Sequence, residues 1–106
     1  MDAAAEPLTV EVSPVSDDVA VLRVGGELDV HTAPTLVAAV AEAYGNGATS
    51  LEIDASDLLF CDSSGIQVLV QAREQALAAG GAVKVTNVRG PVEKVLTVTG
   101  LLELFS

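Results

Sequence analysis

Three strand-like segments in this chain are each followed by a segment with helical spacing, and this alternation constrains the fold most strongly. The segments "VAVLRV" (19–24), "SLEIDAS" (50–56) and "AVKVTNV" (82–88) are rich in apolar and β-branched residues. The residues that follow, at 30–44, 63–79 and 91–96, repeat apolar side chains with the period of a helix. Because strand–helix–strand connections join parallel strands, we expect an α/β fold.

A further alternating segment, "LTVEVS" at 8–13, precedes these units and predicts another strand. The sheet is therefore expected to be mixed and mostly parallel, with about four strands and with helices packed against it. Residues 1–7 are interpreted as a flexible lead, and residues 8–106 as a single domain, since one domain suits a chain of 106 residues.

The helical segments also predict which residues face the core. In the first helix, Thr32 is a candidate cap, and one face carries Leu36, Val37, Val40 and Tyr44. The second helix begins near Ser63 and ends at Gly80-Gly81; its inward residues are expected to be Ile66, Leu69, Val70 and Leu77. The strand before it is expected to end near Ile53 or Asp54, with "ASDLLFC" as a loop.

Charge and cysteine content exclude several classes of function. Fifteen acidic residues against five basic ones give a formal net charge of -10, and aromatic residues make up only 3%. Direct nucleic-acid binding is not expected, since it needs clustered Lys and Arg side chains and often aromatic side chains on which nucleobases stack. The one cysteine, Cys61, cannot form an internal disulfide, and we interpret it as a buried small hydrophobe. Without a signal peptide or a long apolar run, the expectation is a cytoplasmic protein with no membrane insertion.

The segment "LLFCDSSGIQVLV" places a polar island, Asp62 to Gly65, between apolar residues at the start of the second helix. One interpretation is that Asp62 or Ser63 caps the helix. A second is that Ser63 accepts a phosphate at a helix N-terminus, where negative charge is tolerated. A third interpretation is a nucleophilic serine, which needs a general base. The single histidine, His31, lies in a different segment, and no G-x-S-x-G motif surrounds the serine.

A second polar cluster lies in "GGELDVHTAP" at 25–34, where Glu27 and Asp29 are expected on a loop after two glycines. If the preceding strand is parallel to its neighbour, Asp29 converges with Asp62 and Ser63 at one sheet edge. The plain alternative is a turn with two solvated acids. These carboxylates have no ligand spacing typical of a metal site, so no metal and no cofactor are predicted.

The segments "GELDVHTAP", "LEIDASDLLFCDSSGIQVLV", "GGAVKVTNVRGPVEKVL" and "TGLLELF" together resemble STAS domains of the bacterial anti-sigma factor antagonist type. The resemblance implies the STAS fold and a non-enzymatic partner-switching role in transcription, such as a stress response. In that family the unphosphorylated antagonist binds an anti-sigma factor that is also a serine kinase, which frees a sigma factor. A serine phosphatase reverses the phosphorylation.

Matching the motif residue by residue implies that Ser63 is the phosphorylated serine. The implied partner-binding residues are Asp29, Asp62, Ser63, Ser64, Gly65 and Ile66. The sequence departs from the common family pattern at Ile66-Gln67, where many members have Leu-Gly, and at Cys61, where an aliphatic residue is common. The alternative function is a STAS subunit of a lipid or anion transport complex that docks on an ATPase subunit.

Overall fold

The chain forms a four-stranded sheet with three α-helices and a short 3₁₀ helix in the computed structural model, which describes residues 7–106. The elements in chain order are β1 (Thr9–Val12), β2 (Val19–Leu28), α1 (Ala33–Gly45), β3 (Ser50–Cys61), α2 (Ser63–Ala78), β4 (Val83–Thr86), α3 (Gly90–Val98) and the 3₁₀ helix (Leu102–Phe105). The sheet order is β1-β2-β3-β4. Only β1 pairs antiparallel, so the predicted mixed, mostly parallel α/β fold is confirmed.

The domain boundaries remain a prediction. Residues 1–6, which make up most of the expected lead at 1–7, lie outside the described part of the chain. Within residues 7–106, the buried apolar side chains form one cluster, as a single packed unit requires.

One face of the sheet carries the core, because alternate strand residues point toward the helices. Leu22, Ile53 and Val85 are buried on this face and pack in the same cluster as residues from all three helices. The other face presents polar residues to solvent. There the Arg23 guanidinium lies 3.5 Å from the Asp57 carboxylate, and both side chains are more than half exposed. An ion pair this exposed adds little to stability.

Strand β3 is longer than the sequence predicted, because the segment "ASDLLFC" is not a loop but continues the strand to Cys61. Its pairing with β2 contains two β-bulges: one between the pairs Arg23↔Asp54 and Gly25↔Asp57, the other between Gly26↔Leu58 and Glu27↔Phe60. Each bulge inserts one extra residue in β3. The extra residues break the two-residue alternation from which a strand is predicted, so the sequence pattern in this segment is irregular.

Strand β2 likewise continues through the two glycines, so Glu27 lies in the strand rather than on the predicted loop. Gly26 adopts φ +94°, a left-handed conformation that glycine accepts without strain. A Cβ atom at this position would lie 2.5 Å from the carbonyl oxygen of Pro7. The glycine therefore permits a close approach of two chain segments rather than ending the strand.

Two residues predicted to face inward are exposed: Val37 by 49% and Leu77 by 51%. In each helix, alanines complete the buried stripe, so a larger apolar residue beside that stripe faces outward. Leu36 and Val40 are buried as predicted, and the half-buried Tyr44 hydroxyl donates a 2.7 Å hydrogen bond to the carbonyl of Ala72. This bond fixes α1 against α2.

The C-terminal 3₁₀ helix is attached to the core by Phe105, which is fully buried, whereas the adjacent Leu104 is 43% exposed. We expect Phe105→Ala to lower the free energy of unfolding by about 3–5 kcal/mol, because it removes a buried aromatic side chain and leaves a cavity. Leu104→Ala is the matched control, with an expected loss below about 1 kcal/mol. Urea denaturation measures both values; equal losses would show that Phe105 is not the anchor.

Candidate functional site at the ends of two parallel strands

The polar residues singled out from the sequence lie where β2 and β3 end side by side. Leu28 is paired with Cys61, and the Asp62 amide donates a 3.1 Å hydrogen bond to the Leu28 carbonyl. Asp29 and Asp62 are therefore the next residues on two adjacent parallel strands. The structure thus brings the two loops together at one edge of the sheet, as expected for parallel strands.

Asp62 is the N-cap of α2. Its Oδ1 accepts hydrogen bonds from the backbone amides of Ser64, at 2.8 Å, and of Gly65, at 3.3 Å. These amides have no partner within the helix, so the carboxylate satisfies them and places a negative charge at the positive end of the helix dipole. Of the two candidate caps, Asp62 performs this role and Ser63 does not.

Ser63 and Ser64 differ in accessibility although they are adjacent. Ser63 is exposed, and no side-chain hydrogen bond among residues 7–106 involves its hydroxyl. Ser64 is half-buried and faces a groove between α1 and α2. Within the described structure, Ser63 therefore offers a free hydroxyl in the first turn of α2 that no local contact requires.

Asp29 organises the turn between β2 and α1. Its Oδ1 accepts hydrogen bonds from the amides of His31, at 2.9 Å, and Thr32, at 3.1 Å. Partial desolvation opposes the charged form of Asp29, but hydrogen bonds from Thr32 and His31 outweigh it, so the pKa of Asp29 lies below its ordinary value. The carboxylate is held in place and remains charged at neutral pH.

Thr32 precedes α1 but makes no side-chain cap hydrogen bond to the helix, which corrects the predicted capping role. Its hydroxyl instead donates to the carbonyl of Glu27, at 2.7 Å, and accepts from the amide of Asp29, at 2.9 Å. The side chain therefore stabilises the turn beneath the site rather than the end of the helix.

Gly65 is buried where α2 approaches the ends of β2 and β3. A Cβ atom here would lie 2.5 Å from Leu28 Cγ and 2.7 Å from Cys61 Sγ. Such distances leave no room for any side chain, so the glycine determines how closely α2 packs. Ile66, the next residue, is half-buried and packs against the core cluster.

Cys61 is buried, as predicted. Burial and the adjacent negative charge of Asp62 raise its pKa to about 11. Since a thiolate is the reactive form, this thiol is unreactive at neutral pH, and its contacts with the core explain its presence.

Sequence reasoning missed two exposed apolar residues beside the site. Leu59 is 58% exposed and Phe60 43% exposed, whereas Leu58 and Cys61 on either side of them are buried. The second bulge in β3 produces this arrangement, because it lets residues three positions apart face the same side. The only signal in the sequence was an apolar run too long for simple alternation.

Among residues 7–106, no three or more histidine, cysteine, aspartate or glutamate side chains are grouped closely enough to hold a metal ion. Nor does this part of the chain contain a helix with the length and hydropathy needed to cross a membrane.

The STAS domain family model matches residues 12–106, which is most of the chain. The chain belongs to the STAS family. The STAS domain is 38% identical over 72 residues to the anti-sigma-F factor antagonist RsfB of Mycobacterium tuberculosis, a match covering 68% of this chain and 58% of RsfB. It is 29% identical over 97 residues to the anti-sigma-B factor antagonist of Bacillus subtilis, covering 92% and 87% of the two chains.

The anti-sigma factor antagonist SpoIIAA in its unphosphorylated form has the same fold as the STAS domain, with a TM-score of 0.80. Identity is 26%, over 91% of this chain and 84% of SpoIIAA. The phosphorylated form of SpoIIAA gives a TM-score of 0.72 at 25% identity, over 91% and 87% of the two chains. The predicted STAS fold is thereby confirmed.

A murine anion transporter, Slc26a9, also contains a region similar to the STAS domain. The TM-score is 0.69 at 16% identity, over 92% of this chain and 19% of the transporter. At this identity the likeness concerns the fold alone.

The close contact at Gly65 predicts that Gly65→Ala destabilises the STAS domain by about 1–3 kcal/mol, since the added methyl group overlaps Leu28 and Cys61. The matched control is Gly45→Ala at the end of α1, where a Cβ atom meets nothing within 4 Å; it should be neutral or stabilising by up to about 1 kcal/mol. Urea denaturation distinguishes them. Similar stabilities for both variants would mean that α2 can shift away without cost.

The cap at Asp62 predicts that Asp62→Ala lowers the free energy of unfolding by about 1 kcal/mol, because two helix amides lose their acceptor. Asp62→Asn retains an acceptor oxygen and should keep most of that stability. Thermal and urea unfolding of both variants measure the difference. If Asn is as destabilising as Ala, the negative charge rather than the hydrogen bonds provides the stabilisation.

Proposed function

We propose that this STAS domain is an anti-sigma factor antagonist in a partner-switching pathway. In its unphosphorylated form it binds an anti-sigma factor that is also a serine kinase, and the sigma factor is released. Phosphorylation of Ser63 blocks this binding, and a serine phosphatase restores it. The similarity to RsfB, to the B. subtilis antagonist and to SpoIIAA supports this function.

The free hydroxyl of Ser63 is the observation that carries the proposal. Ser63 is exposed in the first turn of α2, while Asp62 fulfils the capping role that would otherwise require the serine. A kinase can therefore reach and modify Ser63 without removing a hydrogen bond on which the helix depends. Ser64, half-buried against α1, is the less accessible of the two hydroxyls.

A phosphate on Ser63 adds about -1.5 to -2 charge next to the carboxylate of Asp62 and on the same edge as Asp29. The positive end of the α2 dipole makes this charge tolerable for the folded chain. A partner surface packed against the site would have to desolvate the phosphate. Weakening the complex a hundredfold requires about 2.7 kcal/mol. Desolvation of the phosphate next to the like-charged carboxylates of the site can supply this free energy.

The proposed role is binding rather than catalysis. His31, the single histidine, is exposed, and its hydrogen bond to Asp29 uses the backbone amide, not the imidazole. Among residues 7–106, no hydrogen bond links a base to the Ser63 hydroxyl. The predictions of a cytoplasmic location, of no direct nucleic-acid contact and of no cofactor belong to this proposal; the net charge of -10 supports the second of them.

The second candidate is a transport subunit docking on an ATPase; the likeness to the anion transporter shows that the same fold occurs in a transport protein and extends no further than the fold. In that case the Ser63 region is a permanent docking surface rather than a switch. The two candidates differ in one measurable respect, since only an antagonist loses its partner when Ser63 becomes charged.

The experiment compares Ser63→Ala and Ser63→Glu as baits in a lysate of the source organism, with mass spectrometry of captured proteins. We expect the alanine form to retain an anti-sigma factor kinase and the glutamate form to lose it. With that kinase purified, ATP should label the wild type at Ser63 and leave Ser63→Ala unlabelled, and calorimetry should show binding about a hundredfold weaker for Ser63→Glu.

Ser16→Glu is the matched control, because Ser16 is exposed in the turn before β2, at the opposite end of the sheet. It adds the same charge and should bind like the wild type. Ser63→Glu should melt within a few degrees of the wild type, since the helix dipole accepts the charge. Stable phosphate on Ser64 in the Ser63→Ala variant would move the acceptor by one residue, and capture of an ATPase or permease by both baits would favour the transport role.

A further inference from the structure

We propose that Leu59 and Phe60, two exposed apolar residues shortly before Ser63, form the contact that holds the anti-sigma factor kinase. The partner surface that covers them consists of aliphatic or aromatic side chains and carries no cluster of Lys or Arg opposite Ser63. This inference rests on the proposed function and separates two roles within one interface. The apolar pair binds the partner, and the serine controls whether the complex persists.

The two side chains are exposed in a way that a regular strand does not allow. Leu59 is 58% exposed and Phe60 is 43% exposed, although they are consecutive residues of β3. Successive residues of a regular strand point to opposite faces, so one of two neighbours would be expected to face the core. A single exposed apolar residue is normal on a protein surface, whereas this pair, named here the apolar patch, requires an explanation.

A β-bulge is the cause of this exposure. The pairs Gly26↔Leu58 and Glu27↔Phe60 leave Leu59 as the extra residue of β3, while Leu58 stays buried. The bulge interrupts the ladder of hydrogen bonds, and the exposed pair loses the stabilisation that burial would give. Both effects oppose folding. Bulges of this kind occur next to functional sites, where they redirect side chains, and a partner that covers the patch offsets the cost.

The apolar patch lies next to the regulated serine. Phe60 precedes Ser63 by three residues, and three residues of extended chain span at most about 11 Å. Ser63 is itself exposed at the start of α2. A typical protein interface covers about 800 Å² of each partner, so a single partner surface can contact both the patch and the serine.

The polar groups of the site contribute less to binding than the patch does. Oδ1 of Asp29 and Oδ1 of Asp62 already accept hydrogen bonds from backbone amides of their own turns. A new hydrogen bond to a partner replaces one to water, so its net contribution is small. Burial of apolar side chains has no such compensation, and aromatic residues are enriched at the centres of interfaces. Binding therefore depends on Leu59 and Phe60.

Charge near the patch disfavours other occupants. Asp29 and Asp62 lie at the same edge of the sheet, and the chain has a formal net charge of -10. Nucleic acids and anionic membranes would be repelled by this charge. A symmetric dimer through the patch would bring the Asp62 carboxylates of two such chains close together.

The proposed switch also restricts the charge of the partner. Lys and Arg clustered opposite Ser63 would form charge-assisted hydrogen bonds with its phosphate and strengthen the complex. Phosphorylation is proposed to weaken the complex instead. An apolar partner surface offers the phosphate no donors, so the phosphate would lose its hydration without compensation. The same partner surface therefore accounts for binding before phosphorylation and for release after it.

The test is calorimetric titration of the purified anti-sigma factor kinase into wild type, Leu59→Ala and Leu77→Ala. Leu77 is the matched control, since it is 51% exposed and lies on α2, about 21 Å along the helix from Ser63. Leu59→Ala should weaken binding at least about tenfold, whereas Leu77→Ala should bind like the wild type. Melting temperatures close to that of the wild type would show that both variants are folded.

A second pair of variants tests the chemistry of the contact. Phe60→Ala should weaken binding at least about tenfold, and Phe60→Leu, which keeps most of the apolar surface, should stay within about threefold of the wild type. Raising the salt concentration about tenfold should leave these ratios nearly unchanged, because the contact carries no charge. Ratios that disappear at high salt would indicate an electrostatic contact and overturn the apolar partner surface.

Phosphorylation kinetics separate binding from a role at the serine. Leu59→Ala should raise the KM of the kinase for this substrate and leave kcat unchanged, because the contact is the same in the ground state and the transition state. A lower kcat at unchanged KM would mean that Leu59 positions Ser63 for the reaction, which would overturn the inference.

If the wild type binds the kinase and either Leu59→Ala or Phe60→Ala binds it equally well, the inference is wrong while the proposed function stands. If the wild type binds no anti-sigma factor, both are overturned. Sedimentation of the STAS domain alone tests for a second copy of the chain as the occupant. A dimer that Phe60→Ala dissociates would assign the patch to that dimer and overturn the inference.

Discussion

The parallel pairing of β2 with β3 is the interaction on which the rest of the structure depends. It aligns Leu28 with Cys61, so both strands end at the same level and the two following turns lie side by side. The same alignment places two buried side chains directly beneath the start of α2, where only Gly65 fits against them. The position of α2, and therefore of Ser63, follows from this register.

Two carboxylates at the edge of the sheet, Asp29 and Asp62, have structural roles that leave the hydroxyl of Ser63 free within the described structure. Asp29 holds the turn before α1, and Asp62 holds the first turn of α2, each through backbone amides. Both side chains are therefore fixed by their own segments. A hydroxyl that no hydrogen bond within the described structure requires can change its chemistry without unfolding the helix, and this separation of roles is what a regulatory site needs.

The fold class, the helix beginning at Ser63 and the meeting of the two acidic turns could be predicted, because strand and helix periodicities and the parallel-strand rule depend on local sequence. The extent of β3 could not be predicted from the sequence. Its bulges make Leu58 and Cys61 face inward while Leu59 and Phe60 face outward, and no fixed period describes that order. Val37 was misplaced for a related reason, since alanines filled the buried stripe and left the larger valine outside.

The cap at Asp62 also determines what kind of switch this edge of the sheet could support. Because the carboxylate already binds the amides of Ser64 and Gly65, a phosphate on Ser63 could not take over those donors without displacing it. The added charge would therefore project from the surface rather than reorganise the helix end. Under the proposed function, phosphorylation weakens binding of the partner through repulsion and desolvation at the interface. The core of the STAS domain keeps its shape.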